Sequence, residues 1–202
     1  MTTVVELVIA ADASAWRAAG FEVTDDSLQL GGIRIRLTGG AGGMTEWVLA
    51  GAPREVDEIN GLHTTHSSAV SSTPVSHPNG VTSIDHIVVY TPDLERTCAA
   101  IEAATGAPLK RIREVGTLRQ GFHRLGELIV EVVTFPQVTQ DRATFWGLAL
   151  NVDDIDAMFA HCGEGAMSAP KDAVQPGRRI ASFRESAGLG LPVAIMTPHR
   201  RA

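Results

Sequence analysis

Residues 85–106 read "DHIVVYTPDLERTCAAIEAATG", and residues 146–165 read "WGLALNVDDIDAMFAHCGEG". Each stretch opens on a short apolar run and turns at an aspartate followed by an aliphatic residue, Asp93-Leu94 in one and Asp154-Ile155 in the other. Apolar residues then recur at helical spacing (Cys98, Ile101 and Ala104; Ile155, Met158 and Phe159), and each run stops at a glycine, Gly106 or Gly163. His86 lies seven residues before Asp93, and Gly147 lies seven before Asp154. One supersecondary unit is therefore used twice.

The repeat continues outward. "GTLRQGFHRLGELIVEVVTFP", 116–136, reads as a hairpin turning at Gly126-Glu127, and "GRRIASFRESAGLGLPVAIMTP", 177–198, reads as a second with a glycine-rich turn. The offset between the copies is 61 at the first strand and 63 at the last, a difference assigned to that turn, which sets Phe122 against Phe183. Each copy is thus a βαβββ module, 81–138 and 143–198. The fold class is α+β, with paired modules forming one cupped mixed β-sheet over 81–202.

Upstream, "VVELVIAA" reads as a strand, "DASAWRAAG" as a short helix with Asp12 as N-cap, "LQLGGIRIRLTGG" as a hairpin and "TEWVLAGA" as a last strand. Residues 1–62 therefore read as a degenerate βαβββ-like unit, with an unrelated small α+β cap as the alternative. Between them, "HTTHSSAVSSTPVSHPNG", 63–80, is rich in Ser and Thr and reads as a surface linker. Its His63, His66 and His77 match no closed metal site.

The bulk numbers narrow the classes. Charged residues make up 20% and the formal charge is −6, which argues against a phosphate-binding surface. Residues 1–76 hold nine acidic and four basic side chains, so the first unit carries most of that excess. No basic stripe interleaved with aromatics marks a nucleic-acid reader. No apolar run approaches the ~20 residues that span a bilayer. No basic, then apolar, leader opens the chain, and the expected location is cytoplasmic. Cys98 and Cys162 read as small core residues and not as a disulfide scaffold. "GGAGG", 39–43, lacks the Lys-Ser/Thr of a phosphate loop.

"DHIVVYTPDLE", "LIVEVVTFP" and "LALNVDDID" make residues 81–198 resemble the vicinal oxygen chelate superfamily, which includes glyoxalase I, extradiol dioxygenases and fosfomycin-resistance proteins. The resemblance implies a glyoxalase/bleomycin-resistance/dioxygenase-like fold, a homodimer, and lyase, isomerase or dioxygenase chemistry on a small molecule in the cleft. It also implies a divalent metal held by His, Glu or Gln at the first and last strands of the modules. Here those positions are His86 and Glu131 in the first module, and Gly147 and Ala194 in the second. The last two cannot bind metal.

Alternation along strands places His86, Val88 and Tyr90 on one face and Ile129, Glu131 and Val133 on one face. An imidazole and a carboxylate suit Zn²⁺, Fe²⁺, Mn²⁺, Co²⁺ or Ni²⁺, but two protein ligands fall short of the usual catalytic three. Glu131 is also a candidate general base. The hairpin register adds Gln120, Phe122 and Arg124 as ligand-binding candidates and turns His123 to the opposite face. The second module adds Arg179 and Phe183. Such a cup suits a small polar or anionic ligand. Trp47 and Trp146 read as core or interface packing more readily than as cleft walls. Two functions stay open: a metal-dependent enzyme with an incomplete site, or a metal-free protein that sequesters a small molecule.

Overall fold

The computed structural model describes residues 1–68, 73 and 75–198. The rest of 69–74 and residues 199–202 lie outside them, so the linker expectation is only partly covered. The second half holds β7 (Val81–Tyr90), α2 (Leu94–Thr105), β8 (Arg111–Val115), β9 (Leu118–Leu125) and β10 (Leu128–Thr134). It then repeats with β11 (Thr144–Val152), α3 (Ile155–Cys162), β12 (Lys171–Asp172), β13 (Arg179–Ser182) and β14 (Val193–Met196). These are the two βαβββ modules. They join through the antiparallel pair β7–β11 into one mixed sheet of eight strands, ordered β12-β13-β14-β11-β7-β10-β9-β8.

The helices start and stop where local chemistry requires. Asp93 caps α2 by accepting the Arg96 N–H at 2.9 Å, and Asp154 caps α3 by accepting from Asp156 and Ala157. Gly106, at φ 70°, ends α2 in the left-handed region that a side chain disfavours. The apolar face of α2 buries Leu94, Cys98 and Ile101 against the back of the sheet, where Ile87, Val89, Val130 and Val132 are fully buried. Burial pushes the Cys98 thiol up to about 11, as expected of a packing residue.

The first half holds β1 (Thr3–Ala10), α1 (Ala13–Ala18), β2 (Ser27–Leu30), β3 (Ile33–Leu37), β4 (Gly43–Ala50), β5 (Glu58–Ile59) and β6 (Leu62–His66). Up to β4 the element order is β-α-β-β-β, as the sequence suggests. The pairing differs from a closed unit, however. β4 lies antiparallel to β1 on the side away from β3, as β11 lies against β7, and β6 then pairs parallel to β4. The sheet of six is ordered β2-β3-β1-β4-β6-β5. Residues 63–66, read as the start of the linker, complete β6.

His77 is not a surface residue. Its Nδ1 accepts the Glu22 N–H at 3.0 Å and its Nε2 lies 2.9 Å from the Gln29 carbonyl, because the chain re-enters beside β2. The backs of the two sheets share one apolar core, with Trp47 fully buried and its ring 5.5 Å from that of Phe145. No helix of the described residues is long and apolar enough to cross a membrane.

Candidate functional site

The face of the eight-stranded sheet opposite α2 carries the candidate residues. Parallel pairing sets Ile129 beside His86 and Glu131 beside Val88, and the β9–β10 hairpin sets Phe122 beside Glu131 and Gln120 beside Val133. His86, Gln120, Phe122 and Glu131 therefore share one face. His86 Nε2 lies 3.3 Å from Glu131 Oε2, and both side chains are largely buried. Gln120 Nε2 donates to the other carboxylate oxygen of Glu131. Phe122 lies under the Arg111 guanidinium, 4.6 Å from its ring centroid.

His86 is aimed from behind. In the β7–β11 ladder Ile84 pairs with Leu150 and His86 with Ala149, so Asp85 is an extra, unpaired residue. Such a bulge re-aims a side chain. Asp85 Oδ2 lies 2.8 Å from His86 Nδ1, and its Oδ1 accepts from Arg178 Nη2 at 2.8 Å. Arg178, itself buried, is spread further over the Thr197 carbonyl and the side chains of Gln175 and Asn151. Burial pushes the Asp85 carboxyl up, but the bonds from His86 and Arg178 outweigh it and hold the group down at about 2. An ionised Asp85 only accepts, so Nδ1 carries the proton and Nε2 faces Glu131.

Tyr90 extends this face. Burial, and then the Glu131 charge, raise its hydroxyl above the ordinary value, which keeps it a donor. Its ring stacks on Trp146 at 4.9 Å and meets Phe135 edge-on at 5.2 Å. Trp146 is 41% exposed, whereas Trp47 is core.

Two expected residues stand elsewhere, and a third is turned to the rim. Arg179 pairs with Asp156 at the start of α3, and Phe183 packs 6.4 Å from Phe21 on the side of the shared core. β13 runs one position out of the expected register: Ser182, not Phe183, lies opposite Ala194 and answers to Phe122. Arg124 lies on the cup face but donates back to the Gly126 carbonyl at the exposed hairpin end. His123 faces the other way, bonded to the Ala107 carbonyl.

Asp85 and Arg178 are the site residues that alternation could not find, because one sits in a bulge and the other precedes its strand. The doublets "DH", 85–86, and "RR", 178–179, were the available signals.

No protein-family model matches the sequence, and a search of curated proteins finds no match. Solved structures do match. A variant of 4-hydroxymandelate synthase from Streptomyces coelicolor aligns over 99% of this chain and 94% of its own, at 14% identity and TM-score 0.67. Methylmalonyl-CoA epimerase from Mycobacterium tuberculosis aligns over 64% of this chain and 94% of its own, at 15% identity and TM-score 0.50. A hypothetical protein from Bacillus halodurans C-125 aligns over 59% and 96%, at 13% and 0.50. The chain has the vicinal oxygen chelate fold.

The vicinal oxygen chelate fold raises the question of a metal, and the donors do not fit one. Of the four corners only His86 and Glu131 bear donors, and these two face each other. Ala194 is blank. Gly147 is more than blank, since a Cβ there would stand 2.5 Å from the Pro192 carbonyl oxygen. Among the described residues no group of three or more His, Cys, Asp or Glu converges as a metal site. An apolar cavity of about 170 Å³ between the two sheets, lined in part by Val4, Leu30, Ile84 and Leu128, includes neither His86 nor Glu131.

Proposed function

We propose that the cup of the second sheet binds a small polar molecule and that the His86–Glu131 pair moves a proton on it. The observation that carries this is the line Arg178–Asp85–His86–Glu131. A largely buried, ionised aspartate fixes one ring nitrogen, and the other faces a carboxylate at 3.3 Å. Nε2 and Glu131 Oε2 then stand within reach of one proton on a bound molecule. A substrate with an acidic C–H beside a carbonyl would lose its proton to Glu131 and regain it from the same pair. Gln120 orients the carboxylate, Tyr90 supplies a hydroxyl donor, and Trp146 offers an apolar wall. The reading is of the isomerase or lyase kind, with no step through a metal. One structural neighbour is named an epimerase.

The test is deuterium wash-in. The protein is incubated in D₂O with small 2-oxo acids and short acyl thioesters, and their C–H signals are followed by NMR. Loss of signal with the wild-type protein, reduced at least ~100-fold by Glu131→Gln and by His86→Asn, is expected of an acid–base pair. Exchange undiminished in Glu131→Gln would refute the role. The blank corners at Gly147 and Ala194 favour a second reading, a metal-free binding protein. Compounds that bind without any exchange would establish it. Elemental analysis of protein purified without chelator checks the metal. Stoichiometric metal that disappears in both His86→Ala and Glu131→Ala would return the site to metal chemistry.

A further inference from the structure

The six-stranded sheet repeats the centre of the eight-stranded one, including two of its three irregularities. Pairing of β7 with β11 is interrupted at Thr82, Asp85 and Trp146, and the last two leave His86 opposite Ala149 and Val88 opposite Gly147. Pairing of β1 with β4 is interrupted at Val5 and Thr45, leaving Glu6 opposite Val48 and Val8 opposite Glu46. The parallel neighbours match as well. Glu131 stands beside Val88 as Arg36 stands beside Val8, and Ala194 beside Ala149 as Thr65 beside Val48. The corners held by His86, Glu131, Gly147 and Ala194 in one sheet are thus held by Glu6, Arg36, Glu46 and Thr65 in the other. Where the second sheet is half blank, the first has a polar side chain at every corner.

These side chains are organised. The Glu6 side chain is 7% exposed, and its two oxygens accept from Arg34 Nε at 2.5 Å and Arg36 Nε at 2.7 Å. A terminal nitrogen of Arg34 also reaches Glu6. Both terminal nitrogens of Arg36 and Arg34 Nη1 have no protein partner among the described residues. Glu46 is occupied separately, accepting from Thr65 Oγ1 at 2.5 Å with His63 Nδ1 3.5 Å away. The face points away from the shared core, since Leu7, Ile35 and Trp47 on the opposite side are fully buried.

We propose that this face is a second ligand site, in which Arg34 and Arg36 take a small oxyanion, a carboxylate or a phosphate. Two guanidinium groups on the single Glu6 carboxylate leave that cluster with a surplus positive charge, while Glu46, across β1, brings the face as a whole to neutrality. Because Glu6 holds both by Nε, their free N–H groups are set in advance, and a ligand that accepts from them loses little side-chain entropy. The arginine side chains are 55% and 43% exposed, so binding is expected in the millimolar range, about 1–10 mM, and weakened by salt. This proposal does not rest on the His86–Glu131 reading.

The experiment titrates the full-length protein with inorganic phosphate and, separately, with malonate at constant ionic strength, following the Nε–Hε NMR signals of Arg34 and Arg36. Saturable shifts of both signals are expected. Arg34→Gln and Arg36→Gln should each weaken binding at least ~5-fold, since each removes half of the donor pair. Each single variant leaves one arginine on Glu6, and circular dichroism verifies its fold. Arg113→Gln on the other sheet is the control and should change nothing. A response to phosphate but not malonate identifies a phosphate site, and the reverse a carboxylate site. No saturation with either anion, or binding undiminished in Arg36→Gln, would overturn the proposal.

Discussion

Asp85 concentrates the electrostatics of the cup in one side chain. Its folded value of about 2 lies below the ordinary 3.8, so its stabilising effect is complete above about pH 4 and lost as pH falls through about 2. A depression of that size corresponds to about 2 kcal/mol. Urea unfolding between about pH 5 and pH 2 should show this loss in the wild type and a flatter profile in Asp85→Asn. Arg178→Met should cost about 2–4 kcal/mol at neutral pH, because it leaves a largely buried carboxylate with His86 as its remaining partner. Unchanged stability would mean that Arg178 does not hold Asp85 in solution. Gly147→Ala should cost about 1–3 kcal/mol, because the new methyl meets the Pro192 carbonyl. Part of this site was legible in the sequence. Gln120, Phe122 and Glu131 come together through a period of two across strands joined by a tight Gly126-Glu127 turn, which transmits register faithfully, and His86 joins them through the parallel pairing of β7 with β10. Arg179 and Phe183 were misplaced because the longer glycine-rich connection lets β13 slip by one position, and one position reverses every side chain.

Elements were legible where their signals are local. Asp93 and Asp154, the apolar spacing behind them, and Gly106 and Gly163 mark both helices in the sequence, because capping and periodicity act over one or two turns. The caps also make a prediction. Asp93→Ala and Asp154→Ala should each lower stability by about 1 kcal/mol, and their effects should add because the helices share no cap partner. Serine at either position should restore most of the loss, whereas an effect absent from both variants would show that packing alone sets these helix starts. What the sequence does not express locally is which strand β4 joins. Its residues alternate equally well for a closing strand beside β3 or an opening strand beside β1, and only tertiary packing decides. The paired bulges are hidden for the same reason, since an unpaired residue is defined by its partner strand.

At the scale of the molecule, the two sheets share one apolar core. The approach is close at several points. A Cβ at Gly61 would stand 2.5 Å from the Ala143 carbonyl oxygen, and the Ala143 N–H donates to the Asn60 carbonyl at 3.0 Å. Asn60 Nδ2 also donates to Thr97 on α2 at 2.5 Å, and Trp47 meets Phe145 across the junction. Neither sheet can then lose its structure without exposing the back of the other, so unfolding should be a single transition. Tryptophan fluorescence can test this, because Trp16 and Trp47 are fully buried in the first half while Trp146 is already exposed. The fluorescence change therefore reports mainly on the six-stranded sheet. Phe145→Ala lies in the other sheet, and its half-buried ring should cost about 2 kcal/mol, somewhat less than a fully buried phenylalanine. The fluorescence midpoint in urea should fall together with the circular-dichroism midpoint, by the same amount. A fluorescence midpoint that stays put while the circular-dichroism signal splits into two steps would show that the sheets fold independently.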